Sequence, residues 1–401
     1  MINIISYLHR DELCDLIRRW MVDRPVSTDA NRLAQIILFN QEYVSRFLNT
    51  FAADLFAQIH GPGLVTRRIS LKGELKDLVV QHPPYLNDRI EALIRQYRAQ
   101  PGRYYRETPF QGTIFLKGEP GRETYVGSTR IKRVRRLAEK CARIITDQIF
   151  YTIKSQADVL AEERARRLGL SRAQLVTPQQ EMIEEFLEAE KLILEQLSQA
   201  RQLDNMPVLN IKDVAGIKVI TEDVHYEALL DYLKGLDHCE IVEEERHAGV
   251  YNATNLIVRL QPEPAMILAE ELSDEELFNN LKRQGIPPGR VNREFAEFVR
   301  SGEDSVFLEI IVTNYQENLE SEIGRCIHED RIIEQRRGKQ YRGHLAKNIE
   351  YLMEYLFTFP TSGEVEIGEL PIKLWNRYLP EYFDEVMKEL FHLKNRRFFS
   401  E

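Results

Sequence analysis

The chain has 401 residues, 43% hydrophobic and 29% charged, with a net charge of −9. This is the profile of a globular protein of two or three structural units, and it argues against a general nucleic-acid coat protein. Four cysteines stand far apart at Cys14, Cys141, Cys239 and Cys326, with no CxxC pair, which fits reduced thiols in a cytoplasmic protein better than a disulfide framework or a zinc site. The start MINIISYLHRDEL has no basic segment followed by a long apolar run, so no signal peptide is expected. No apolar run approaches the roughly 20 residues of a membrane span.

Residues 1–105 read as a mainly helical region. Apolar residues recur at three-to-four spacing through TDANRLAQIILFNQEYVSRFLNTFAADLFAQI, with Thr28-Asp29 placed to cap its start. A second helix, PPYLNDRIEALIRQYRAQPGR, ends at Pro101-Gly102. GTIFLKGEPGRETYVGS then predicts a hairpin around Gly118-Glu119-Pro120-Gly121. Residues 130–153 are predicted as one helix and 155–203 as a charged helical region, with Thr177-Pro178 as a cap and first-turn pair. Met182, Ile183, Phe186, Leu187, Leu192, Ile193 and Leu197 mark an apolar stripe there, which either packs on the body of the protein or docks a protein partner. Strands are predicted at 217–221, 239–243, 253–260 and 305–312, with the amphipathic helix DVHYEALLDYLKGL after the first of them. The polar segment 263–303 reads as an insertion, and 316–358 as helical, followed by a break and a short helical tail.

Three constellations carry chemical potential. Arg130, Lys132, Arg133, Arg135, Arg136 and Lys140 fall within eleven residues at an expected helix start. Helix N-termini favour anions, and added guanidinium and ammonium groups suit a polyphosphate. The same residues are equally consistent with a solvated basic helix face. Asp213 stands at the mouth of one strand, and Glu309 lies inside the apolar run SVFLEIIVTN of another. A buried glutamate needs a partner, whereas strand alternation can instead aim it at solvent. Two carboxylates on neighbouring strands suit Mg²⁺, which takes oxygen ligands and keeps substrate phosphates in its shell. Finally, Tyr251 and Asn252 in HAGVYNATNLIV offer an aromatic face and an amide for a purine, or a core tyrosine. There is no P-loop, GxGxxG, HExxH or GxSxG.

In this order, RIKRVRRLAEK, IKDVAGIKVI, VYNATNLIV and FLEIIVTN resemble the synthetase domain of RelA/SpoT-type alarmone synthetases. The resemblance covers roughly residues 110–335, interrupted near 155–205 and 263–303. It implies an α+β fold, a small mixed β-sheet nucleotidyltransferase-like domain over 106–345 flanked by helices, with a long helical insertion, a helical N-terminal region 1–105 and a helical C-terminal region 346–401. It implies Mg²⁺-dependent transfer of pyrophosphate from ATP to the hydroxyl of a nucleotide such as GDP or GTP. Arg130, Lys132 and Lys140 match an R-x-K-x(7)-K pattern and would clamp ATP phosphates. Asp213 and Glu309 would hold Mg²⁺ and form the catalytic pair, with Glu309 assisting removal of the hydroxyl proton. Tyr251 would stack on the acceptor base, with Asn252, His247 and Lys218 beside it.

The chain departs from the family pattern where Lys218 replaces an arginine, Asn255 a histidine, Ile311 a glutamine, Thr313 an arginine, and His247 a lysine. These positions belong largely to acceptor recognition. A non-catalytic nucleotide sensor or scaffold on the same fold, or a transferase acting on RNA, are the alternatives. Catalysis requires Asp213 and Glu309 to open on one side of the sheet.

Overall fold

A computed structural model describes residues 1–199, 207–222, 225–249, 252–338 and 341–393. In chain order the strands are β1 (Ile2–Ile4), β2 (Val65–Leu71), β3 (Pro109–Lys117), β4 (Thr124–Ile131), β5 (Leu209–Ile211), β6 (Ala215–Ile220), β7 (Cys239–His247), β8 (Ala253–Leu260) and β9 (Val306–Thr313). The helices of the first half are α1 (Arg10–Met21), α2 (Asp29–His60), α3 (Lys72–Gln81), α4 (Asp88–Ala99), α5 (Val134–Arg167) and α6 (Gln179–Ser198). Those of the second half are α7 (Tyr226–Lys234), α8 (Pro264–Ile267), α9 (Glu275–Arg283), α10 (Pro288–Arg300), α11 (Tyr315–Ile323), α12 (His328–Arg337), α13 (His344–Thr358) and α14 (Pro380–Leu390). None of the described helices is long and apolar enough to cross a membrane.

Seven strands form one mixed sheet in the order β2-β3-β4-β6-β9-β8-β7. Neighbours run antiparallel except β6 and β9, which are parallel. Strand alternation divides the sheet into two faces. Ile217, Val219, Leu256, Val258, Leu308 and Ile310 point into the main core, shared with α2, α5 and α13. Near one end of the other face, Ile114, Leu116, Tyr125 and Ile220 pack under α3, α4 and α11 in a second, smaller core. The rest of that face carries Arg130, Lys218, Asn255 and Glu309 beside Ile257 and Ile311, and there the cleft lies.

Several elements differ from the sequence expectation. The N-terminal region contributes β2 to the main sheet, paired with β3, besides β1 paired in parallel with β5. Helix α5 runs unbroken from Val134 to Arg167, so no boundary falls near residue 155. The stripe on α6 is split: Ile193 and Leu197 are buried and Phe186 packs on the core, while Met182, Ile183 and Leu187 are each about half exposed. The expected caps do not form. Helix α6 begins only at Gln179, which puts Pro178 at the N-cap and leaves Thr177 to accept from Arg164 at 2.8 Å. On α2, Thr28 makes no side-chain cap bond. Instead Asp29 accepts from Trp20 Nε1 at 3.0 Å and from the Val26 N–H at 3.1 Å. The 263–303 segment is no peripheral insertion, because Phe295 and Phe298 of α10 meet Phe39 of α2 edge-on at 5.4 and 5.3 Å between ring centres. Its polar appearance reflects narrow amphipathic stripes on α9 and α10.

Close approach fixes Gly127. A Cβ on Gly127 would lie 2.3 Å from the Lys218 carbonyl oxygen and 2.4 Å from the Phe56 ring, where α2 crosses the sheet. Gly127→Ala is therefore expected to destabilise the fold by about 1–3 kcal/mol. Urea unfolding checks this, and an unchanged midpoint would contradict the close approach.

Candidate active site

The site is organised by one register row. Arg130 on β4 lies opposite Gly216 on β6, which lies opposite Glu309 on β9. Gly216 contributes no side chain between its neighbours, so the Arg130 guanidinium reaches across to within 3.9 Å of Glu309 Oε2. On the far side Asn255 Nδ2 donates to Glu309 Oε1 at 3.2 Å. The next row of the same face places Ser128, Lys218, Ile311 and Asn255 side by side. Arg130 therefore sits on a strand and not at a helix start. Its pairing with β6 continues the ladder through Ile131, and the helix begins only at Val134.

Asp213 occupies the turn between β5 and β6. The Lys132 N–H donates to the Val214 carbonyl at 2.8 Å, tying the β4–α5 junction to this turn. That tie brings Lys132 Nζ to 2.7 Å from Asp213 Oδ2, while Lys140, further along α5, reaches Oδ1 at 2.5 Å. Burial alone would raise the Asp213 carboxyl, but the two ammonium charges outweigh it and hold the group well below the usual carboxylate range. Lys132 is itself lowered to about 8, chiefly by burial, with Asp213 opposing and Lys140 and Arg130 adding to the shift. Glu309 moves the other way. Burial raises its carboxyl, the Arg130 charge opposes, and the Asp213 charge adds to the rise. Two carboxylates in one site are thus driven apart in acidity, the arrangement that separates a permanently charged group from a proton acceptor.

Asp213 and Glu309 open on the same side, into a cleft with two lobes. The first lobe, about 520 Å³, is lined by Lys132, Arg133, Arg136, Lys140, Arg143 and Arg336 among others. The second, about 450 Å³, holds Gly216, Lys218, His247, Asn255, Glu309 and Glu322. Lys72, Phe110, Arg130, Asp213 and His328 line both. Either volume suits a small ligand. In the first lobe Arg136 and Arg336 are paired with Glu139. Among the described residues Arg133 and Arg143 have no ion-pair partner.

Not every expected residue belongs to this cleft. Asn252 turns aside, donating from Nδ2 to Glu317 Oε1 at 3.0 Å and from its backbone N–H to Oε2 at 3.2 Å. The amide thus ties the end of the 247–252 connection to α11 and is not presented to a purine. Tyr251 lies outside the described residues. His247, at the end of β7, lines the second lobe and lies 3.7 Å from Glu245.

Several residues of the cleft carry no signal in the sequence. Glu322 of α11 is 2% exposed and accepts from Lys72 and Lys218. Burial alone would raise its carboxyl, but Lys72, Lys218 and Lys76 hold it well below the usual range. Burial likewise keeps His328 neutral, with Arg130 and Lys72 reinforcing the effect. A glutamate in NLESEIG and a lysine in SLKGELKDL both read locally as surface residues. Only contacts across about 250 positions, such as Lys72 to Glu322, bring them into the site.

As a donor set for Mg²⁺, the cleft offers the two carboxylates Asp213 and Glu309. Among the described residues no group of three or more His, Cys, Asp or Glu side chains gathers to hold a metal. Such a pair would leave most of an ion's shell to water and substrate phosphates, as Mg²⁺ commonly has, and would not make a closed protein cage.

Comparison of the chain with protein-family models, with curated proteins and with solved structures finds no match.

Proposed function

We propose that this chain is a Mg²⁺-dependent transferase of RelA/SpoT type, moving pyrophosphate from ATP to a hydroxyl of a nucleotide acceptor such as GDP or GTP. The observation that carries the reading is the row Arg130–Gly216–Glu309, which opens together with Asp213 onto a cleft whose first lobe is rich in cations. The nucleotidyltransferase-like character of the sheet is part of the same proposal.

In this reading the first lobe takes the triphosphate. Arg133 and Arg143 would meet phosphate directly, with Lys132 and Lys140, held at Asp213, beside them. Bound at Asp213 and Glu309, Mg²⁺ supplies neutralisation of charge on the phosphates. Arg130 stands at the junction of the lobes, where charge builds up during transfer. Glu309 accepts the proton of the acceptor hydroxyl. The hydroxyl oxygen bonds to the β-phosphorus, the bond from that phosphorus to the α–β bridging oxygen breaks, and AMP leaves. Burial raises the Glu309 carboxyl in the metal-free protein, the direction that favours proton acceptance.

A second reading, nucleotide sensing without turnover, is favoured by one observation. Both Asp213 oxygens already accept from lysine ammonium groups, so a metal must displace them.

Incubation with γ-labelled ATP, Mg²⁺ and a panel of GDP, GTP and tRNA separates the readings. Label on a guanine nucleotide with AMP as co-product supports the proposal. Label on tRNA moves the acceptor to RNA, and nucleotide binding without transfer supports the sensor.

A further inference from the structure

Where the two lobes meet, a second set of charges lies beneath the Arg130–Glu309 row. Lys72, the first residue of α3, has a side chain only 9% exposed and lines both lobes. Its Nζ donates to Glu322 Oε2 at 2.9 Å and Oε1 at 3.2 Å, and sits 5.4 Å from the centre of the Phe110 ring. Lys218 Nζ donates to the same Glu322 Oε1 at 3.1 Å and to Asn318 Oδ1 at 3.1 Å. Glu322 thus holds two ammonium groups from different elements toward one point.

The cluster extends to Lys76, which is fully buried and donates to the Tyr104 carbonyl at 2.7 Å and to Glu329 at 3.3 Å. Lys76 lines neither lobe. Three lysines against the carboxylates of Glu322 and Glu329 leave one surplus positive charge. A buried ion cluster is weak as a stabilising device, since apolar residues of similar volume often serve as well. The surplus charge, and the fact that two of the three lysines face the cleft while the third does not, point to an anion at the junction.

We propose that Lys72 is a binding residue for a polyphosphate that spans the junction, contacting it from both lobes. Glu322 is the positioning residue that aims Lys72 and Lys218 there. The inference rests on the reading of the cleft as a phosphate site and adds the residues that bridge its halves.

Calorimetric titration of the full chain with inorganic tripolyphosphate tests it, with the Mg²⁺ complex of α,β-methylene-ATP as a second probe. Lys72→Met keeps the stem and removes the charge, and is expected to weaken both probes at least tenfold. Lys76→Met serves as the comparison. It is expected to lower thermal stability while leaving both affinities within threefold of the parent. Glu322→Gln keeps both ammonium groups but loosens their aim, so affinity for tripolyphosphate stays within threefold or tightens while transfer kcat falls at least tenfold. An unchanged kcat, or a loss of affinity matching the loss of stability, would assign Glu322 a structural role only. Amine-reactive footprinting of the parent protein needs no variant, and tripolyphosphate should protect Lys72 and not Lys76. Equal binding by Lys72→Met, or equal labelling of Lys72 with and without probe, overturns the inference. If the parent protein binds neither probe, the phosphate reading of the cleft fails and the inference falls with it.

Discussion

Glu309→Gln is expected to lower the transfer rate by about 10²- to 10⁴-fold, the usual contribution of a positioned general base. Nucleotide binding measured without Mg²⁺ should stay close to the parent, because the amide keeps the shape of the side chain and its contact with Asn255. The pH dependence follows from the direction of the shift. The carboxyl is raised mainly by burial in the metal-free protein, a shift that Mg²⁺ at the same group would oppose, so kcat of the parent should fall on the acid side as Glu309 takes up a proton, and the variant should lack that limb. Stability should change in the opposite sense from activity. A group whose folded pKa exceeds its unfolded value binds protons more readily in the folded state, so its stabilising effect is present at low pH and lost as pH rises through the folded value. At neutral pH the buried carboxylate of Glu309 is therefore a cost, and its neutral isostere should unfold at higher temperature than the parent. Transfer assays and thermal melts on the same preparation check both halves. Equal transfer rates in parent and variant would remove Glu309 from the chemistry.

Glu322→Leu should destabilise the fold by about 3–5 kcal/mol, the typical cost of removing one partner from a buried ion pair. Lys72 and Lys218 would be left with their charges in a largely enclosed site, and α3 and β6 would lose their shared tie to α11. Here the sign of the acid response is reversed. Glu322 is held well below the usual carboxylate range by its lysines against the opposing effect of burial. Its contribution is therefore complete above the unfolded value, roughly 4.3, and is lost as pH falls through the folded one. Chemical denaturation at neutral pH and again near pH 3 provides the measurement. The gap between parent and variant should narrow on acidification, and a gap that widens would show that the carboxylate is not the stabilising form.

Much of the site's chemistry is local in origin and so is legible in the residues alone. In VFLEIIVT the period of two puts Glu309 on the face opposite Leu308 and Ile310, and those two are fully buried in the core. The Asp213 turn likewise precedes a strand whose apolar residues alternate with Gly216 and Lys218. The spacing of Lys132 and Lys140 suffices for both to reach one carboxylate, once the β4–α5 junction is tied to the turn. Nearest-neighbour sterics and hydrophobic periodicity encode such features within a few residues.

Arg130 shows where that reasoning stops. Its basic, helix-rich neighbourhood suggests a helix start, whereas pairing with Gly216 extends the strand, and only the register between β4 and β6 decides which. The 263–303 helices read as a polar insertion until α2 is present to cover their apolar stripes. Lys72, Glu322 and His328 are ordinary surface residue types in ordinary helical contexts. Their enclosure, and the charge they place at the junction of the two lobes, depend on α3, α11 and α12 closing over the polar face of the sheet. The sequence alone determined the β3–β4 hairpin, strands β6 to β9, most helices, the acidic pair and the basic run that faces it, but not β1, β2 or β5. Tertiary structure decided which of these charges meet, because ion pairing and burial are set by distances between segments far apart in the chain, and no local pattern records those distances.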